Sequence, residues 1–302
     1  MQRGIQQLLV EDAAKLAAVL MLDSNSVRLE VQYLLQHVLN KPRAWLLAYP
    51  ETTLNPEQKL NYETLLQRRA QGEPIAYILG EREFFGLSFK VTPDTLIPRP
   101  ETELLVDLAL HRIFSAPLQQ AGGDGRQARR GDEFRVLDLG VGSGAIALSI
   151  AHARPNAEVV AVDASSEALK VARENAARLN IRNATFVHSD WYAALGQQRF
   201  HLIVSNPPYV ATADAHLNQG DLRFEPAAAL VSGADGLDDI RRIVAGAQAH
   251  LEPGGWLLLE NGYDQAAQVR ELLHNGGLSE VFSALDLAGI ERVSGGRYSN
   301  SP

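Results

Sequence analysis

The sequence contains no cysteine. That excludes disulfides, thiolate nucleophiles, zinc–thiolate sites and iron–sulfur clusters. It also fits a reducing cytoplasm, the location expected here. No apolar run approaches the roughly 18–20 residues needed to cross a bilayer, so no membrane span is expected. Glu11 and Asp12 interrupt the first residues before a secretory apolar stretch could form. The eight histidines show no H-x-x-x-H spacing, and no metal is assigned. Basic charge is scarce as well. Against 36 acids the chain has 28 Lys/Arg, a net charge of −8. Residues 1–80 hold eight of each sign, so the acidic excess lies wholly in the remainder. A duplex-binding protein neutralises phosphates with a basic face; direct nucleic-acid binding is therefore not expected.

What is present is an ordinary globular composition, 46% hydrophobic and 21% charged over 302 residues, long enough for two domains. Residues 1–80 read as a small helical bundle. Leu9, Ala13, Leu16 and Leu20 share one helical face. Ser24 or Ser26 is placed to cap a second helix that Pro42 stops, and Asn55-Pro56 opens a third. Such a bundle suits substrate recognition. Residues 81–96, rich in aromatic and β-branched side chains around Gly86, read as a hairpin linker. Pro100, followed by acids, starts a helix that runs to about Phe114. The Gly-, Gln- and Arg-rich stretch 115–133 reads as a surface loop.

From Phe134 strands and helices alternate. Strands are expected over 134–139, 158–163, 184–188, 200–205 and 256–260, with helices over 145–153, 166–179, 238–250 and 265–275. Two short strands near 280–286 and 290–298 close the chain. Residues 97–302 are thus an α/β domain, with a mostly parallel seven-stranded sheet covered by helices on both faces.

The first strand–helix turn reads Asp138-Leu139-Gly140-Val141-Gly142-Ser143-Gly144-Ala145. Its glycines permit a tight turn and close approach of a ligand. The same letters fit a dinucleotide fingerprint. Asp138 argues otherwise, because a carboxylate repels a pyrophosphate and welcomes a cation. S-adenosylmethionine carries a sulfonium and an ammonium and no phosphate. Asp163 ends the next strand, where an acid can accept from ribose hydroxyls of either cofactor or can cap the helix near Ser165. After the third strand come Asp190 and Trp191. The indole can stack on adenine, and the acid can accept from its amino group.

The fourth strand ends in Asn206-Pro207-Pro208-Tyr209. Two prolines stiffen the turn and direct carbonyls toward the crevice at the strand ends. With the Asn206 side chain, such a carbonyl can hold both hydrogens of one planar –NH₂ group. That aims a weakly nucleophilic nitrogen at a methyl group and stabilises its developing positive charge. Tyr209 can pack on the flat target.

The glycine turn together with this Asn-Pro-Pro-Tyr turn resembles class I S-adenosylmethionine-dependent methyltransferases acting on planar nitrogens. These include DNA adenine and protein glutamine enzymes. The segments Glu83-Phe84-Phe85-Gly86, Ile97 to Glu103 and Arg223-Phe224-Glu225-Pro226, and the order of the domains, resemble the HemK family of protein-glutamine methyltransferases. His216 to Pro226 is similar to its release-factor branch. The resemblance implies methylation of the glutamine amide in the Gly-Gly-Gln motif of class 1 peptide chain release factors. It implies cofactor contacts from Gly140, Val141, Gly142, Ser143, Gly144, Asp163, Trp191 and Asn206, and a grip on the glutamine by Asn206 to Tyr209. Phe85, Arg99 and Glu225 would shape the pocket. Val141 departs from the threonine usual in the family. A monomer is expected. An adenine-N6 methyltransferase, a dinucleotide oxidoreductase and a non-catalytic adaptor remain as alternatives.

Overall fold

The computed structural model describes residues 3–115 and 134–299. The stretch expected to be a surface loop lies almost wholly outside the described residues. The chain forms two compact units.

The first unit holds α1 (Ile5–Leu20), α2 (Ser24–Leu39), α3 (Arg43–Ala48), α4 (Pro56–Ala70) and α5 (Ile75–Leu79). The apolar faces meet in one core that includes Leu9, Leu16, Val31, Leu35, Tyr62 and Leu65. Asn55 caps α4 with Pro56 behind it, as the sequence suggests. The cap of α2 is a correction: Asp23, rather than either serine, accepts from the Asn25 and Ser26 amides. A carboxylate there also complements the helix dipole.

This unit also contains Ala215–Phe224, more than 130 residues farther along the chain. Arg69 explains how the segment is held. Its side chain is 2% exposed and forms a fork with Glu30 at 2.7 and 3.0 Å. Its remaining nitrogen donates to Asp221 Oδ1 at 3.1 Å. Nearby, Arg223 Nη2 donates to the Gln71 carbonyl at 3.0 Å. Periodicity could not show this, because nothing local in 215–224 points to a partner so far back in sequence.

The second unit begins with a hairpin, β1 (Glu81–Phe84) and β2 (Leu87–Lys90). It is not a free linker. Phe84 and Phe89 are buried in the core of this unit, and Asn175 bonds both the amide and the carbonyl of Lys90. Then follow α6 (Glu103–Ser115), β3 (Arg135–Leu139), α7 (Ala145–Ala153), β4 (Glu158–Asp163), α8 (Ser166–Arg178), β5 (Ala184–His188) and β6 (Phe200–Ser205). The chain ends with α9 (Asp238–His250), β7 (Leu251–Glu260), α10 (Ala266–Asn275), β8 (Leu278–Leu285) and β9 (Glu291–Tyr298).

The sheet order is β5-β4-β3-β6-β7-β9-β8, parallel from β5 to β7, with β9 antiparallel to both β7 and β8. Alternate strand residues serve opposite faces. Val136, Ala161 and Val204 pack with α6 and α7, whereas Leu137, Val162 and Ile203 pack with α9 and α10. The strand order reverses between β3 and β6, which is where open α/β sheets bind ligands.

Removing the buried Arg69 leaves Glu30 uncompensated. Arg69→Met is expected to destabilise the first unit by about 3–5 kcal/mol, read as a lower urea midpoint with loss of amide protection at Leu222–Phe224. An unchanged midpoint would show the ion pairs to be incidental.

Candidate active site

Leu139 pairs with Ser205, and the Ser205 hydroxyl donates to the Leu139 carbonyl at 2.6 Å. The turns that follow β3 and β6 therefore leave the sheet side by side. Gly140 and Gly142 have φ of 78° and 53°, backbone that residues with a Cβ rarely adopt. A Cβ on Gly142 would stand in open space at the rim of a cavity, and one on Gly140 would meet the Trp191 ring at 3.6 Å. Asp163 braces this turn. Its Oδ2 accepts from the Gly142 amide at 2.9 Å and its Oδ1 from the Ser165 amide at 2.8 Å. Burial raises its pKa. The cap of α8 is Ser165, whose hydroxyl accepts from the Ala168 amide.

The cavity has a volume of about 630 Å³, the size that encloses a nucleoside-bearing ligand. Gly140, Val141, Gly142, Ser143, Asp163, Asp190, Trp191, Asn206 and Pro208 all line it. Thus most residues expected around the cofactor come together, although they leave four different strands. The wall also carries Asp94, Glu167 and Asp239, making five carboxylates with Asp163 and Asp190. Among the described residues its one cation is Arg242, paired with Asp190 at 2.7 Å and Asp239 at 3.7 Å. Among the described residues of the wall no cation is left to meet a pyrophosphate. The donor set fits the sulfonium and ammonium of S-adenosylmethionine and opposes a dinucleotide. Asp190 is occupied by Arg242, a partnership that sequence spacing did not reveal.

Several expected contacts lie off the wall. Asp138 is fully buried, and its Oδ2 accepts from the Ala147 amide at 3.0 Å near the start of α7. Burial pushes its carboxyl up to about 7. This bond ties the end of β3 to α7, and Asp138, expected among the cofactor contacts, does not line the cavity. Gly144 lies beneath the turn as the N-cap of α7. Phe85 forms the hairpin turn with φ of 51°, its amide donating to Glu103. Arg99 ion-pairs with Glu225, which also accepts from the Ile97 amide at 3.0 Å. Arg99 and Glu225 therefore fix Pro98 and Pro226, which do line the cavity, rather than shaping it directly.

The Asn206 turn is rigidly held. Asn206 Nδ2 donates to the Thr102 hydroxyl at 3.2 Å. Pro207 is buried. The Tyr209 carbonyl accepts from Gln265 Nε2 at 3.0 Å, and its hydroxyl donates to Glu260 Oε1 at 3.1 Å. Tyr209 is half-buried off the cavity wall, and burial raises its pKa. Thr102 and Glu260 were not singled out from sequence. The signal for Glu260 was there: like Asp138 and Asp163, it is an acid among the buried apolar residues at the carboxyl end of a strand.

Comparison with known proteins agrees with this geometry. The chain matches the family described as PrmC N-terminal domain over residues 11–80 and that described as Methyltransferase small domain over residues 127–237. A release factor glutamine methyltransferase of Bordetella pertussis is 51% identical over 92% of this chain and 97% of the relative. One of Xylella fastidiosa is 48% identical over 89% of this chain and 93% of the relative. A 16S rRNA N2 G1207 methyltransferase from T. thermophilus, solved with AdoMet and guanosine, gives a TM-score of 0.50. It spans 72% of this chain and 49% of that one and, at 23% identity, bears on the fold alone. With half of all positions identical across nearly the whole length of a relative, this chain belongs to the release factor glutamine methyltransferase family.

Proposed function

We propose that this chain methylates the side-chain amide nitrogen of the glutamine in the Gly-Gly-Gln motif of class 1 peptide chain release factors, acting in the cytoplasm. The observation that carries this reading is that Asn206 lines the same acidic cavity as the glycine turn. S-adenosylmethionine, when bound, supplies a methyl carbon made electrophilic by the sulfonium. The turn from Gly140 to Ser143, Asp163 and Trp191 hold it.

The amide lone pair is delocalised, so the nitrogen must be aimed. Asn206 presents Nδ2 to Thr102, which leaves Oδ1 free to accept from the substrate –NH₂. A backbone carbonyl of the proline turn takes the second hydrogen. As the nitrogen bonds to carbon it gains positive charge, which these fixed acceptors stabilise. The alkylated nitrogen is acidic and releases its proton without a dedicated base. The adenine alternative uses the same grip, but no observation favours it.

The first unit is the docking surface for the release factor in this reading. Of the large exposed hydrophobic residues described, most sit there, among them Val10, Val19, Met21, Leu29, Leu47 and Leu60.

Three outcomes are expected. Asn206→Ala lowers turnover by about 10²–10³-fold, as loss of one preorganised group does, with an unchanged thermal midpoint. This is measured as labelled methyl transfer to a release factor, and equal labelling of a factor whose motif glutamine is alanine would overturn the assignment. Asp163→Ala weakens S-adenosylmethionine by about 10–100-fold in calorimetry, the worth of a charged hydrogen bond; tighter binding of NADH than of S-adenosylmethionine would refute the cofactor. Met21→Asp combined with Leu22→Asp raises KM for the intact factor while kcat holds, and an unchanged KM would place docking elsewhere.

A further inference from the structure

Pro207 and Pro208 have no N–H to donate, so no amide hydrogen ties the middle of the proline turn to its surroundings. The turn is placed by its two ends. The near end continues β6, where Asn206 donates to Thr102. The far end is Tyr209. There Gln265 donates its Nε2 to the Tyr209 carbonyl at 3.0 Å and to the Asp235 carbonyl at 3.2 Å. Its Oε1 accepts from the Gly262 amide at 2.8 Å. Gln265 occupies the N-cap of α10, yet its side chain makes no capping bond to that helix. A neutral side-chain amide offers one acceptor and two hydrogens, and here each end meets backbone groups of fixed sense. The side chain is buried, where such bonds are stronger than in water.

Gly236 closes the same contact from another segment. With φ of 78°, its backbone comes so near that a Cβ would stand 2.7 Å from Gln265 Nε2 and well inside van der Waals contact with the Tyr209 carbonyl oxygen. Just beyond, the Val210 amide donates to the Leu230 carbonyl at 2.8 Å, and the Val210 carbonyl accepts from the Ser232 amide at 2.9 Å. Asn206 and Pro208 line the cavity, whereas Tyr209, Gly236 and Gln265 lie behind it. We propose that Gln265 is a positioning residue for methyl transfer: by clamping the Tyr209 carbonyl against Gly236, it fixes the far end of the proline turn and so the aim of the turn carbonyl that receives the substrate amide. Proline φ is locked, so a displacement at Tyr209 passes along the turn instead of being absorbed within it. A misplacement of about 1 Å in a positioning group costs about 10²-fold in rate.

The proposal rests on the grip by Asn206 described above, and the test separates the two. Methyl transfer to a release factor and S-adenosylmethionine affinity are measured for the native chain, Gln265→Met, Gly236→Ala, the two combined, Asn183→Leu and Asn206→Ala. Gln265→Met keeps the length of the side chain and loses its three bonds. It should lose about 10–100-fold in kcat, with KM for the factor and S-adenosylmethionine affinity within about twofold of native. Gly236→Ala should do the same, and the combination should fall no more than about threefold below the worse single variant, because both break one contact. Asn183 is the control. Its Nδ2 donates to the Ala151, Arg154 and Ala157 carbonyls just before β5, whereas the cavity lies past the strand ends. Asn183→Leu should lower the thermal midpoint and leave kcat unchanged. Native kcat in Gln265→Met, cofactor affinity falling in step with kcat, fully multiplicative losses in the combination, or an equal kcat loss in Asn183→Leu each overturns the clamp. Should Gln265→Met not fold, Gln265→Glu takes its place, since it keeps an acceptor for Gly262 and when ionised has no hydrogen to donate. An Asn206→Ala protein with native kcat sinks the grip and the clamp with it, whereas an inactive Asn206→Ala beside a native Gln265→Met sinks the clamp alone.

Discussion

Parallel pairing of Leu139 with Ser205, locked by the Ser205 hydroxyl, sets the distance between two turns that have no other reason to meet. One is the glycine turn, shaped by positive φ and braced by Asp163. The other is the proline turn that carries Asn206. Because the register of parallel strands is fixed by burial on both faces, neither turn can slide without exposing apolar side chains. The cavity, its acidic wall and the aim of Asn206 all descend from that one alignment.

Three strand-end carboxylates, Asp138, Asp163 and Glu260, show how similar residues divide the work by environment. Asp163 is on the cavity wall and holds the loop by two amides. Asp138 is sealed beneath α7. Glu260 is sealed behind the proline turn beside Tyr209. Desolvation raises the pKa of all three, and of the three Asp163 alone lines the cavity.

The helices and strands of the catalytic unit were legible because their periods are strong. Asp238–His250 and Ala145–Ala153 fall on the residues where apolar spacing places them. The hairpin was legible as a hairpin but not as part of the catalytic core, since Phe84 and Phe89 show only that they seek burial, not against what. The short α3 and α5 escaped notice because five or six residues carry too little periodicity to register.

The sequence by itself determined the local features: glycines where backbone must turn, acids at strand ends, and a stiff proline turn bearing an amide. Those are local properties, written in residue type and spacing. Tertiary structure alone decided which groups share a wall. It set Asp190 against Arg242, joined Glu225 to Arg99, Asn206 to Thr102 and Tyr209 to Glu260. It also returned 215–224 to the first unit through Arg69. These pairings cross up to 152 positions of chain, and only the packing of β-strands and helices brings such residues within a hydrogen bond of each other.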